Sequence, residues 1–432
     1  MKVKFTGLCK PVFFGVALYC VLLSGGAVAD EWSIEPSASL YEEYNDNIRF
    51  TSAPHPNVWQ TSLRPNVKFS KKTEISEVSG QAQLGINRYA GDPTLNQTDK
   101  LLLLFANYLS ERNTWSMNTS YRSDTTSEVV TNGLVQPRTQ RSALSLNPSW
   151  RRSLTEKTSL RLDYQYQNVK YDKATSTDYT YQQVGSTLQY ALSERDQVNL
   201  STNYSRLKYV PIYTLYPFNL PYTYGGSDTS VIKSNTLGIQ VGVTHLFSET
   251  MRGTFSLGRR DTVNSTQHIC NGMLGSTSTY TNTFCTGFNG DPMITYTDET
   301  HSNGYSLNAN LNKQFESGTI SGLVSRDVNP SGSGLVQTTQ YGLSMSKALT
   351  EKLTASLDTS VYRTTFISTT SPGSRYYTFE PRLSWHFSEA WMLDGGYRYA
   401  RVRYDNNVSS PITANAVYLN LTYSWPKIAI SR

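Results

Sequence analysis

The sequence predicts an all-β fold, a transmembrane antiparallel up-and-down β-barrel of about 18 strands with short periplasmic turns and long extracellular loops. Three observations lead there. Apolar and polar residues alternate with a period of two along the chain, the mark of strands with one apolar and one polar face. Only 38% of the 432 residues are hydrophobic while 12% are aromatic, with 30 Tyr, so the chain is too polar for a large dry core and too aromatic for disorder. The connections between alternating segments fall into a short class and a long class that take turns along the chain.

The first element is an address. Lys2, Lys4 and Lys10, the apolar stretch from Pro11 to Leu23 and the triplet Ala27-Val28-Ala29 read as a Sec signal peptide, residues 1–29, cleaved before Asp30. Its apolar stretch is shorter than the ~20 residues of a spanning helix. Removing it leaves basic and acidic side chains nearly balanced, which argues against a nucleic-acid partner. Of the four cysteines, Cys270 and Cys285 lie beyond the leader in a stretch full of Ser, Thr, Asn and Gly. An extracytoplasmic loop disulfide is the expected state, with a pair of free thiols as the alternative.

Residues 30–425 then read as the barrel. Leu63, Pro65, Val67 and Phe69 alternate with Arg64, Asn66 and Lys68; Leu160, Leu162, Tyr164 and Tyr166 alternate with Arg161, Asp163 and Gln165. The same rhythm holds at Leu237, Ile239, Val241 and Val243 and at Tyr305, Leu307, Ala309 and Leu311. Eight short connections, such as Lys71-Lys72-Thr73, Thr155-Glu156-Lys157 and Thr350-Glu351-Lys352, alternate with nine longer polar ones. The longer ones fall near 45–57, 91–99, 123–138, 172–178, 210–230, 261–299, 327–335, 364–374 and 405–413. That count gives 18 strands with both termini on the short-turn, periplasmic side. In lipid a strand satisfies its N–H and C=O groups only through neighbours on both sides, so a spanning sheet closes on itself. Trp115, Trp150, Trp385, Trp391 and Trp425 near short turns, with Tyr121, Tyr171, Tyr209 and Tyr404 near long loops, are placed as two interfacial aromatic belts. A soluble propeller or solenoid would need a repeat of fixed length and a packed interior, and the chain supplies neither.

The opening Trp32-Ser33-Ile34-Glu35-Pro36, followed by Tyr44-Asn45-Asp46-Asn47-Ile48, resembles the first strand of a largely uncharacterised family of bacterial outer-membrane β-barrel porins. Many members of that family are associated with exopolysaccharide or protein-sorting loci. The match covers about 17 residues. It implies an outer-membrane pore, with polysaccharide export as one use and no catalytic residues. The chain departs from the usual aromatic terminus of such barrels, because Pro426 to Arg432 follow Trp425; residues 426–432 are expected to form a short periplasmic tail behind an internal assembly signal.

No motif carries catalytic or metal chemistry. The five histidines, at 55, 245, 268, 301 and 386, lack metal-ligand spacing. Gly225-Gly226 and Gly332-Ser333-Gly334 lie in loops and read as turns; Asn45-Asp46-Asn47 reads as an Asx turn before a calcium site. The informative surface is the polar face, which carries Glu35, Arg64, Lys68, Arg151, Arg161, Asp163, Asp358, Glu380, Arg382, Asp394 and Arg398 among Ser, Thr, Asn and Gln. With apolar rows toward lipid these line a wet lumen with both signs of charge. Loop 210–230, with Tyr213, Tyr216, Phe218 and Tyr222, is too apolar to hang in water and is expected to constrict the mouth, as is the larger loop 261–299. The expected function is a cofactor-free, non-enzymatic outer-membrane channel for polar solutes or a secreted polysaccharide. Its partners would be membrane lipid, lipopolysaccharide and periplasmic export proteins. The alternative is a structural or adhesive barrel whose loops bind a surface partner.

Overall fold

The computed structural model describes residues 31–52, 55–125, 138–172, 176–210, 212–216, 226–271, 294–367, 372–405 and 410–431. The first half of the chain forms β1 (Glu31–Asn45), β2 (Val58–Lys72), β3 (Ser76–Ala90), β4 (Gln97–Leu109), β5 (Asn113–Thr125), β6 (Gln140–Ser153), β7 (Thr158–Tyr171), β8 (Tyr179–Ala191) and β9 (Asp196–Tyr209). A short β10 (Ile212–Tyr216) precedes β11 (Gly226–Ser248), β12 (Met251–Asn271), β13 (Ile294–Phe315), β14 (Gly318–Ser331) and β15 (Gly334–Ala348). The chain ends with β16 (Leu353–Phe366), β17 (Ser374–His386), β18 (Trp391–Tyr404), β19 (Ile412–Ser424) and β20 (Ile428–Ser431).

Eighteen of these strands make the wall. Each pairs antiparallel with its chain neighbour, and β1 closes the ring against β19 from Ser37 opposite Ser424 to Asn45 opposite Ala416. Two strands are accessory. β10 pairs only with the first five residues of β11, and β20 continues the edge of β19 beyond Pro426 to pair Ile428–Ser431 with Ile34–Glu31 of β1. Within the expected tail 426–432, Ile428–Ser431 are therefore hydrogen-bonded sheet.

Period-two alternation sets the faces. Trp32, Ile34, Leu40 and Tyr44 of β1 and Leu237, Ile239, Val241 and Val243 of β11 are all exposed on the outer face, while Ser33, Tyr41, Glu43 and Asn45 point inward and are buried. At the short-turn end of the outer face, rings run in contact from Trp385 through Phe387, Trp391 and Tyr423 to Trp425, with centroids 4.7–6.3 Å apart. The opposite belt is only partly as expected. Tyr121 faces outward, but Tyr171, Tyr209 and Tyr404 take inward positions and pack under the loops.

The eight short connections fall where the sequence places them. Two long ones change character. Strands β12 and β13 extend to Asn271 and back from Ile294, so much of 261–299 is paired wall, and 327–335 is a tight hairpin turning at Gly332-Ser333. Gly334 has φ +126°, a backbone conformation that glycine adopts without a Cβ clash.

The alternation makes a register test. Val241→Arg on the outer face is expected to lower barrel stability by about 2–4 kcal/mol, whereas Gln240→Arg on the inner face should change it by less than about 1 kcal/mol. Equilibrium unfolding in lipid vesicles reads both.

Candidate functional site

The inner face is the surface with chemistry. Register places all eleven charged residues singled out above on it. Arg64, Glu380, Arg382, Asp394 and Arg398 line a cavity of about 700 Å³. Asp163 lines a second of about 1000 Å³, and Glu35 and Lys68 line a third of about 460 Å³. Arg151 and Arg161 face inward at the short-turn end. Most of the charges are paired along the wall: Arg382 lies 3.4 Å from Asp358 and Arg161 lies 3.9 Å from Asp163.

A connected cluster sits where the ring closes. Arg398 of β18 lies 3.3 Å from Glu380 of β17 and 3.5 Å from Glu43 of β1, reaching across β19. The Tyr418 hydroxyl donates to Glu380 at 2.8 Å, and Glu43 also accepts from the Tyr41 hydroxyl and from Asn45 at 2.9 Å. Tyr41 and Tyr418 stack at 5.7 Å, and the Arg64 guanidinium lies 4.1 Å from the Tyr41 ring centroid. Small neighbours leave the room: a Cβ on Gly396 would stand 2.5 Å from the Tyr418 hydroxyl. Glu43 and both tyrosines are functional-face residues that the list above omits. The signal was present, because outward Leu40 and Tyr44 force Tyr41 and Glu43 inward.

The bore is crossed by the β14–β15 hairpin. β14 pairs with β13 only as far as Arg326 opposite Leu307; beyond that point β13 pairs with β12 alone, and the β14 edge of the hairpin parts from the wall while β15 stays bonded to β16 as far as Leu335. Val328 and Leu335 pack against Val169, Tyr179, Tyr181, Leu207 and Tyr209 on the inner face of β7–β9. Tyr209 donates to the Ser331 carbonyl at 2.7 Å, and the Thr177 amide donates to the Gly332 carbonyl at 2.9 Å. Arg260, on the inner face of β12, donates to the Gln337 side chain, its guanidinium lying flat against Gly304, where a Cβ would come within 2.6 Å.

This hairpin is the constriction seen among the described residues. The expected loop 210–230 contributes the β10 backbone pairing at Tyr213 and Tyr216, while the side chains of those residues, and Phe218 and Tyr222 entirely, lie outside the described residues. The proposed disulfide likewise lies outside them: Cys270 is described only by its backbone pairing with Asp228 and Ile294, and Cys285 is not described. The sequence signal for this inward hairpin was the apolar set Val328, Pro330, Leu335 and Val336 around a Ser-Gly-Ser-Gly turn, too greasy for a solvated tip.

Two further connections fold over the bore from the same end. Phe50 reaches Tyr376 at 6.0 Å, and Ile48 packs on Val58, Tyr89 and Leu95. Asn45-Asp46-Asn47 forms the turn that delivers them, the Asn47 amide donating to Asn45 Oδ1 at 2.9 Å and Asn415 donating twice to Asp46 at 2.7 Å. Arg49 ties this connection to the next by donating to Asp92 at 2.6 Å and to Thr94 at 2.7 Å. A hydrogen bond from the Thr94 hydroxyl, reinforced by the Arg49 guanidinium, holds the Asp92 carboxyl below its ordinary value.

One strand breaks the polar lining. Leu102, Leu104, Ala106 and Tyr108 of β4 stand opposite the outward Tyr121, Thr119, Met117 and Trp115 of β5, which turns Leu101, Leu103 and Phe105 inward. The three lie along the bore, Leu101 in the first cavity, Leu103 in the second and both Leu103 and Phe105 in the third.

No protein-family model matches the chain, and no curated protein does. Among solved structures it is similar to the ferric-catecholate import receptor Fiu of Escherichia coli in its open form, at 10% identity and a TM-score of 0.46, over 90% of this chain and 81% of that one. It is also similar to OccK9 (OpdG) of Pseudomonas aeruginosa, at 10% identity and a TM-score of 0.43, over 91% and 98% of the two chains. OpdK of the same organism, solved with vanillate, aligns at 8% identity and a TM-score of 0.41, over 92% and 99%.

Arg398→Ala leaves the buried Glu43 carboxylate without its cation and is expected to cost about 1–3 kcal/mol. Adding Glu43→Gln should recover part of that loss in urea unfolding. The Arg49–Asp92 tie has a defined pH window. Because the folded carboxyl is depressed, its contribution is complete above the unfolded value of about 3.9 and is lost as pH falls through the lower folded value. Hydrogen exchange over residues 46–52 should therefore rise only on acidification below that range, and Asp92→Asn should abolish the dependence.

Proposed function

We propose that the protein is a passive channel of a Gram-negative outer membrane that admits small polar solutes through a bore narrowed by the β14–β15 hairpin. In this reading the short turns and both termini face the periplasm and the long connections face outward. The observation that carries it is a closed wall, apolar outside and polar inside, whose lumen holds cavities of about 700 and 1000 Å³, the larger bounded by the inward hairpin. A closed barrel leaves no edge for lipid to meet, and 18 strands enclose an aqueous lumen. The inner charges are of both signs and largely paired, which supports weak ion selectivity. The hairpin sets the size limit: its apolar tip is held by side-chain packing and a few hydrogen bonds, and while its β15 edge stays paired with β16 as far as Leu335, its β14 edge has left β13.

A second reading, passage of a linear glycan, is supported by the inward row Leu101, Leu103 and Phe105. Side chains two apart on a strand are ~6.6 Å apart, so the row forms an apolar track along the bore between polar neighbours such as Gln81 and Ser120. A polymer would need the hairpin displaced.

Liposome swelling with graded sugars tests the proposal. The folded barrel should admit mono- and disaccharides and exclude larger oligomers, and deletion of residues 328–336 should raise both the conductance and the size limit. A correctly folded barrel that passes no sugar, with or without the hairpin, would overturn it in favour of a structural or adhesive barrel. Passage of long oligomers only after the deletion would assign the glycan reading to an opened state.

A further inference from the structure

Above one level the ring comes apart on one side. β13 and β14 are bonded from Phe315 opposite Gly318 to Leu307 opposite Arg326. Beyond that pair β13 continues from Ser306 to Ile294 with β12 as its only strand partner among the described residues, and β14 continues from Asp327 to Ser331 with β15 as its only one. The two strands form a fork, and each arm keeps a backbone edge that no described strand covers. Leu307 lies eight residues along β13 from Phe315 at the short-turn end. That is ~26 Å of strand, which a tilt near 40° reduces to about 20 Å, against an apolar band about 25 Å tall. The fork therefore opens at the upper rim of the band, where acyl tails meet headgroups.

Two arginines close it in place of backbone bonds. On the outer side Arg326 of β14 reaches back to Tyr305 of β13, donating to the hydroxyl at 3.0 Å with its guanidinium carbon 4.2 Å from the ring centroid. On the inner side Arg260 of β12 crosses Gly304 of β13 and donates to Gln337 of β15. Both latches are incomplete. Arg260 is only 4% exposed, yet its Nε and Nη1 find no acceptor, and neither does the buried Nε of Arg326. Asp327, beside them on β14, accepts instead from the Val328 amide at 2.7 Å. A buried donor without an acceptor is a cost of the closed arrangement that an opened or occupied one sheds.

Space lies on both sides of the fork. Inside, the cavity of about 1000 Å³ is bounded by Ser306 and Asn308 of β13 and by Ser325 and Asp327 of β14, so both arms of the fork line it. Outside, directly beneath, an apolar groove of about 540 Å³ follows the row in which Phe255, Ala309, Val324 and Tyr341 stand opposite one another on four strands. Small residues hollow it: Ala309 lies in the row, and a Cβ on Gly322 would meet nothing within 4 Å.

We propose that the fork between β13 and β14 is a lateral gate through which a single-chain amphiphile with an anionic head passes between the outer leaflet and the bore. Its tail lies in the outer groove. Its head enters the cavity between Arg326 and Arg260, whose unpaired N–H groups match carboxylate oxygens. The gate goes beyond the channel reading, because its solute arrives from the membrane and does not pass the hairpin from above. It rests on the membrane reading of the barrel alone.

The experiment uses the full barrel in lipid vesicles and myristate carrying a diazirine either beside its carboxylate or at the end of its tail, with photolabelled residues mapped by mass spectrometry. The head-end probe should label cavity residues such as Asn308 and Ser325, and the tail-end probe the groove around Phe255 and Tyr341. Bridging Tyr305→Cys to Arg326→Cys with a bis-maleimide should lower head-end labelling of the cavity at least about tenfold, whereas the same double variant unbridged, which lacks the outer latch, should label at or above the wild-type level. Gly322→Trp, which fills the groove below the fork, should lower labelling by both probes. Head-end label confined to outer-face residues, or cavity labelling that survives the bridge, would overturn the gate. Myristyl alcohol labelling the cavity as strongly as myristate would overturn the anionic head. Gel mobility without boiling reports the folding of each variant, and sugar swelling on the same preparations reports the channel separately.

Discussion

Every backbone amide in the wall must find its partner on an adjacent strand, and that requirement organises the molecule. With no membrane-spanning helix among the described residues to satisfy its own donors, the sheet has to come back on itself, and the pairing of β1 with β19 is what completes it. Once the ring is closed, period-two alternation leaves only two surfaces to decorate. The outer one collects Leu, Val, Ile and aromatic rings, and the inner one collects hydroxyls, amides and ion pairs. Polar and charged groups inside such a ring are stabilised by each other and by water, which is why Arg398 can sit between two carboxylates without a packed core around it.

The narrowing of the bore follows from a local failure of the same pairing. β14 loses its β13 neighbour after Arg326 but keeps β15, and the apolar side chains at the hairpin tip turn onto the rings of β7–β9. The chain thereby exchanges sheet partners for side-chain packing. Arg260 fills the space that the departing strand leaves, bonding the hairpin from behind while Gly304 makes room for its guanidinium.

Much of this was legible in the sequence for a physical reason. Strand faces depend on neighbours two residues away, so Leu237 to Val243 or Leu160 to Tyr166 declare their orientation locally, and turns of two to four residues bound them. The eleven inward charges followed from that parity alone. What could not be read depends on contacts far apart in the chain. The 327–335 segment looks like any polar loop until Tyr179 and Tyr209, more than 100 residues earlier, are known to lie beside it. Nearness to loops suggests a belt position for Tyr171 and Tyr404, but their parity along β7 and β18 turns them inward. The fork above Leu307 and Arg326 is likewise invisible without the register that aligns three strands.

The β1 edge has a consequence for how the polypeptide becomes a ring. Residues 31–45 lie between β2, their immediate successor, and a partner that begins at residue 412, so nearly the whole chain must be laid down before the gap can be sealed. Joining segments so distant in sequence carries the largest loop-closure entropy of any pairing in the molecule. An unfinished intermediate thus bares two raw edges at once, and the short strand Ile428–Ser431, by clasping Glu31–Ile34, supplies the final stitch of the zipper.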